Sequence, residues 1–155
     1  MDNIIEMLKL KGLTLSSCES ITGGGFANYI TNIPGASNVY KGGLVTYSNE
    51  IKENVANVDK NTIEKYGAIS QECAYEMVQN TKKMFATDIA VSFTGNAGPT
   101  ISEDKDVGLV YIGFAYKNII SVEKYLLKGS RIEIKNSCIQ IALEKIVNEI
   151  VKEIS

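Results

Sequence analysis

A chain of 155 residues that is 45% hydrophobic and 22% charged, with a formal net charge of -2, has the proportions of a compact soluble domain and excludes a disordered or fibrous polymer. That charge leaves no general basic field to condense on nucleic acid or an anionic membrane, and no apolar run approaches the roughly 20 residues needed to cross a bilayer. Histidine is absent and arginine occurs once, at Arg131, so a Ser-His-Asp triad and a His-ligated zinc site are excluded and any hydrolytic base must be Lys, Tyr or a carboxylate.

In chain order, residues 2–12 place Ile4, Ile5, Leu8 and Leu10 near helical spacing and end at Gly12, which predicts a short amphipathic helix. Residues 13–17 read as a strand running into Glu19-Ser20-Ile21-Thr22-Gly23-Gly24-Gly25, after which Phe26, Ala27, Tyr29 and Ile30 resume helical spacing. Asn32-Ile33-Pro34-Gly35 stops that helix, and a β-rich run occupies residues 40–47. Two short helices are predicted over 49–58 and 62–66, then a long one over 70–85, opened by Ser70 with Glu72 in its first turn. Residues 89–93 read as a buried strand that empties into Thr94-Gly95-Asn96-Ala97-Gly98-Pro99-Thr100. A polar, exposed segment at 101–106 leads into two strands, 107–116 and 119–127, joined at Lys117-Asn118, and the chain closes with a helix over 131–153.

This order predicts an α/β fold: a three-layer α/β/α sandwich around a largely mixed sheet, one domain over 1–155, with the site built from loops at strand ends. Cys18, Cys73 and Cys138 are widely spaced and odd in number, so reduced core thiols are expected rather than a disulfide framework. The amino terminus has no signal-peptide cleavage pattern, and a cytoplasmic location is expected.

Four stretches can carry chemistry. The turn Glu19–Gly25 joins a strand to a helix, where Ser20, Thr22, Gly23 and Gly24 could cradle an anion on free N–H groups or simply form a capped turn. In Tyr47-Ser48-Asn49-Glu50-Ile51-Lys52, a helix beginning at Ser48 brings Lys52 one turn along the same face, so that a neutral lysine could serve as base for a serine nucleophile. The alternative is an N-cap followed by a solvated lysine. In the loop Thr94-Gly95-Asn96-Ala97-Gly98, amides and hydroxyls could hold a ligand or an oxyanion, or form a structural crossover. Arg131, the one guanidinium in a lysine-rich chain, suits bidentate recognition of phosphate or carboxylate, or a structural ion pair.

Taken together, Glu19-Ser20-Ile21-Thr22-Gly23-Gly24, Ile33-Pro34-Gly35-Ala36-Ser37, Gly42 to Asn49 with Lys52, Tyr66 to Ser70, Thr94 to Pro99 and Val107-Gly108 resemble the CinA carboxy-terminal family, the nicotinamide-nucleotide amidases. The resemblance implies a commonly dimeric α/β/α protein, here in stand-alone form, that deamidates nicotinamide mononucleotide to nicotinate mononucleotide and ammonia with no metal or other cofactor. On that reading Ser48 is the nucleophile, with Ser20 as its rival; Lys52 is the base and Tyr47 a relay. The Thr22 and Thr94 loops supply donors, and Arg131 holds the 5′-phosphate. Thr100-Ile101-Ser102-Glu103-Asp104 replaces a second glycine cluster usual in the family, Asn96 stands where an apolar residue is usual, and Asp106 where a proline often precedes Val107. These departures make a catalytically inactive ligand-binding or protein-interaction module the alternative.

Overall fold

The computed structural model describes residues 3–154; Asp2, the first residue of the predicted amino-terminal helix, and the chain ends Met1 and Ser155 lie outside the described residues. The elements are α1 (Ile4–Lys11), β1 (Leu15–Glu19), α2 (Gly25–Thr31), a 3-10 turn (Ala36–Asn38), β2 (Tyr40–Val45), α3 (Asn49–Asn54), α4 (Lys60–Tyr66), α5 (Gln71–Phe85), β3 (Ile89–Gly95), β4 (Leu109–Tyr116), β5 (Ile119–Leu126) and α6 (Arg131–Ile154). Their order is the predicted one. Helix ends follow the expected chemistry: Gly12 closes α1 in the left-handed region with its N–H on the Leu8 and Lys9 carbonyls, and Ser70 Oγ accepts from Cys73 N at 3.1 Å to open α5.

The sheet order is β2-β1-β3-β4-β5. Strands β1, β2 and β3 run parallel, and β4 and β5 are added antiparallel, so the sheet is mixed as expected. Strand β1 starts at Leu15 and continues to Glu19, not over 13–17, because Leu13 N–H is spent on the Leu8 carbonyl and Thr14 is held by Asp88 through both its N–H and its hydroxyl.

Helices cover both faces. On one, Ile4, Ile5 and Leu8 of α1, Phe26 and Ile30 of α2 and Ile134, Leu143 and Ile146 of α6 meet Leu15, Val91, Phe93, Val110 and Phe114; each such side chain contributes about 1.5–3 kcal/mol of burial. The other face is lined by small residues, and α5 packs against it. Ser92 Oγ donates to the Ala74 carbonyl at 2.8 Å, and a Cβ on Gly113 would come within 3.0 Å of that carbonyl and of Val78 Cγ1. Cys18, Cys73 and Cys138 are buried and free. Among the described residues no helix is long and apolar enough to cross a membrane.

The parallel strands set the position of the site. Glu19 pairs with Val45 on one side and Phe93 on the other, so the carboxyl ends of β1, β2 and β3 open onto one edge. The chain leaves β1 toward β2 and later returns to β3 on the opposite flank, which creates a crevice beyond the strand ends.

Candidate functional site

That crevice is a cleft of about 570 Å³. Its walls are the end of β1 (Ser20, Ile21), the start of α3 (Tyr47, Asn49, Lys52), the turn before α5 (Ala68, Ile69), the segment from Thr94 to Glu103, and Arg131.

The β1 turn is organised by a buried carboxylate. Glu19 Oε1 accepts from Thr22 Oγ1 at 2.7 Å and Phe26 N at 2.8 Å, and Oε2 from Ala27 N at 3.1 Å. The first-turn N–H groups of α2 are thereby satisfied within the chain. Thr22, Gly23 and Gly24, expected to contact a ligand, do not line the cleft, and the carboxylate at the helix terminus is Glu19. Ser20 does line it, 8% exposed, its N–H held by the Phe93 carbonyl at 2.9 Å and its hydroxyl engaged in no hydrogen bond among the described residues. Glu19→Ala would leave two N–H groups and a hydroxyl without their partner, and a loss of about 2–4 kcal/mol in denaturant unfolding is expected.

The two serines are in opposite situations. Ser48 has extended backbone angles, φ -102 and ψ 160, and its Oγ accepts from Ile51 N at 3.2 Å as the N-cap of α3. It is exposed and does not line the cleft. Its carbonyl accepts the first helical bond, from Lys52 N at 3.0 Å, but its non-helical backbone angles and the capping bond to Ile51 N commit the hydroxyl to the helix end. Lys52, by contrast, turns inward. It is 2% exposed, lines the cleft, and its amine makes neither a hydrogen bond nor an ion pair among the described residues. Burial holds its pKa below the ordinary lysine value. Cys18, Cys73 and Glu103 act in the opposite sense, but burial lifts the Cys73 thiol to about 12 and Cys18 also upward, so both sulfurs are neutral at physiological pH.

Past β3, Thr94 Oγ1 donates to the Ala68 carbonyl at 2.7 Å. Asn96 shapes the loop: its Oδ1 accepts from Gly98 N at 3.0 Å, and its carbonyl from Gly108 N at 2.8 Å. The N–H groups of Ile21 and Ala97, both on the cleft, have no partner among the described residues. Arg131 donates from Nη1 to the Gly98 carbonyl and from Nη2 to Tyr47 Oη at 3.0 Å; it bridges the loop to Tyr47 and keeps further donors of its fork.

The structure therefore brings Ser20, Tyr47, Lys52, Thr94, Gly95, Asn96, Ala97, Gly98 and Arg131 to one cleft and leaves Ser48, Thr22, Gly23 and Gly24 outside it. The sequence reading missed the Ile21 N–H, which follows directly on a glycine-turn serine, and Glu103, whose only signal was a Glu-x-Lys pair beside the site loop.

The sequence matches the CinA C-terminal domain family over residues 1–150. It is 47% identical over 142 residues to a putative competence-damage inducible protein of Caldicellulosiruptor saccharolyticus, covering 91% of this chain and 34% of that protein. It is 46% identical over 135 residues to one of Bacillus thuringiensis, covering 86% and 33%; the chain thus spans about a third of the length of the curated relatives it matches. Among solved structures, the competence/damage inducible protein CihA of Agrobacterium tumefaciens superposes at a TM-score of 0.89 with 33% identity over 94% of this chain and 90% of that one. A CinA superfamily protein of Klebsiella pneumoniae superposes at 0.91 with 26% identity over 95% and 92%.

Proposed function

Since this chain belongs to the CinA C-terminal domain family, we propose that its cleft is the active site of an amidase acting on nicotinamide mononucleotide, with Ser20 as nucleophile and Lys52 as base. The observation that carries this reading is that the Ser20 hydroxyl and the Lys52 amine, neither committed to any hydrogen bond among the described residues, open onto the same cleft. Burial moves the Lys52 pKa down from the ordinary lysine value, the direction that favours the neutral amine a base requires.

In the proposed reaction Ser20 Oγ attacks the carboxamide carbon while neutral Lys52 takes its proton. The ammonium then delivers that proton to the amide nitrogen, which leaves as ammonia as the C–N bond breaks, and water, activated by the regenerated amine, releases the acyl group as a carboxylate and restores the Ser20 hydroxyl. The unpaired N–H groups of Ile21 and Ala97 are the donors for the tetrahedral oxyanion. Arg131 is the residue for the 5′-phosphate, its fork oriented by Gly98 and Tyr47. Tyr47, exposed at the rim, serves to orient Arg131.

The test is ammonia release from nicotinamide mononucleotide by purified, EDTA-treated protein, with light scattering for the homodimer implied by the family resemblance. Turnover above the buffer rate is the expected result. No turnover at any substrate concentration would instead favour a binding module.

A further inference from the structure

Beyond Pro99 the chain forms a strap that returns to the turn before α5, and two side chains of opposite sign fasten it there. The Glu103 carboxylate accepts from Ala68 N at 2.8 Å and Ile69 N at 2.9 Å. The Lys105 ammonium donates to the Tyr66 carbonyl at 2.8 Å and to the Ile69 carbonyl, and lies 3.5 Å from Glu103. A bridge between Ser102 and Lys105, with Glu103 and Asp104 at positive φ, folds the strap so that both side chains reach the same turn. Gly67 leaves room for them. At φ +85, a Cβ there would come within 2.7 Å of Lys105 Nζ and 3.0 Å of both Glu103 oxygens.

This clasp belongs to the cleft wall. Ala68, Ile69 and Glu103 all line the cleft, and Glu103 is its one carboxylate among the described residues. The charged or titratable groups around the Lys52 amine are Cys18 on β1, Cys73 on α5 and Glu103 on the strap, with Tyr47 and Arg131 on the same cleft. With both thiols protonated, Glu103 is the remaining negative group of that set, and its own ion-pair partner, Lys105, lies 3.5 Å from it on the strap.

We propose that Glu103 is a positioning residue for the Lys52 amine: it clasps the 99–106 strap to the Ala68 and Ile69 N–H groups and holds one fixed negative charge on the wall of the cleft. When Lys52 takes the Ser20 proton, that carboxylate, shared with Lys105 at 3.5 Å, stabilises the ammonium formed from across the cleft. The inference rests on Lys52 being the base of the proposed reaction.

The experiment compares wild type with Glu103→Gln and Glu103→Ala. The Lys52 amine is titrated by NMR of protein labelled at lysine Cε, amide exchange is followed at Ala68 and Ile69, and kcat/KM for nicotinamide mononucleotide is measured against pH. In both variants the Lys52 midpoint is expected to fall, and the acid limb of kcat/KM to move to lower pH with it. Exchange at Ala68 and Ile69 should quicken about tenfold in Glu103→Ala, as expected for the loss of a hydrogen bond. An unmoved Lys52 midpoint in both variants overturns the proposal. A midpoint that moves in a protein releasing no ammonia upholds the placement of Glu103 and rejects the amidase reading instead. If Glu103→Ala does not fold, Glu103→Gln alone decides.

Discussion

Replacing Ser20 with alanine is expected to lower amidase turnover by roughly three to six orders of magnitude, while Ser48→Ala keeps turnover within a few fold of wild type and loses about 1 kcal/mol of stability. The contrast follows from what each hydroxyl already does. Ser48 Oγ satisfies the Ile51 N–H at the start of α3 and stands outside the cleft, so its removal frays a helix end. Ser20 Oγ makes no hydrogen bond in the described protein, and Ser20 lines the cleft, so its removal deletes the proposed nucleophile at little structural cost. Steady-state ammonia release with both variants, paired with urea unfolding, reads the two effects separately. Full activity in Ser20→Ala would sink the nucleophile assignment.

Lys52→Met is expected to abolish turnover, by about two to four orders of magnitude for loss of the base, and to raise stability by about 1 kcal/mol near neutral pH. Wild type leaves Lys52 2% exposed as a residue, its amine without a hydrogen bond or ion pair among the described residues, and burial disfavours the ammonium and lowers its pKa from 10.5. Between the lowered folded value and 10.5, the unfolded chain binds more protons than the folded one, so wild-type stability rises with pH across that window. Methionine has no proton to lose. The advantage of Lys52→Met should therefore be largest below the window and vanish as pH approaches 10.5. Thermal unfolding of both proteins over that range checks the sign; a gap that widens with pH would mean that the amine is stabilised by a partner. On the proposed reaction, the same protonation is expected to give wild-type kcat/KM an acid limb rising with pH.

The element order was legible because strong local signals coincide with structural need. Gly12 ends α1, Ser70 caps α5, and the apolar spacing of 131–153 marks the buried face of α6. The family was legible for a related reason: its motifs lie largely in the turns between elements, several of them at glycines with positive φ such as Gly23, Gly24, Gly35, Gly67 and Gly98. The roles within those motifs were less legible. Glu19-Ser20-Ile21-Thr22-Gly23-Gly24 resembles an anion cradle, but its own glutamate occupies the helix terminus. Ser48 and Lys52 have helical spacing, but the Ser48 hydroxyl is spent capping Ile51 N.

The sequence by itself therefore determined the α/β class, the order of elements, the absence of a histidine-based mechanism, and the set of loops from which a site could be built. These follow from composition and from periodicities that act over a few residues. The tertiary structure alone decided which serine shares a cleft with Lys52, that Glu103 reaches across to the turn before α5, and that Arg131 joins Tyr47 to the Gly98 carbonyl. Ser20 and Lys52 are 32 positions apart and Arg131 is 79 beyond Lys52. Their meeting depends on three parallel strands ending at one edge of the sheet, and strand pairing is a long-range property that no local pattern encodes.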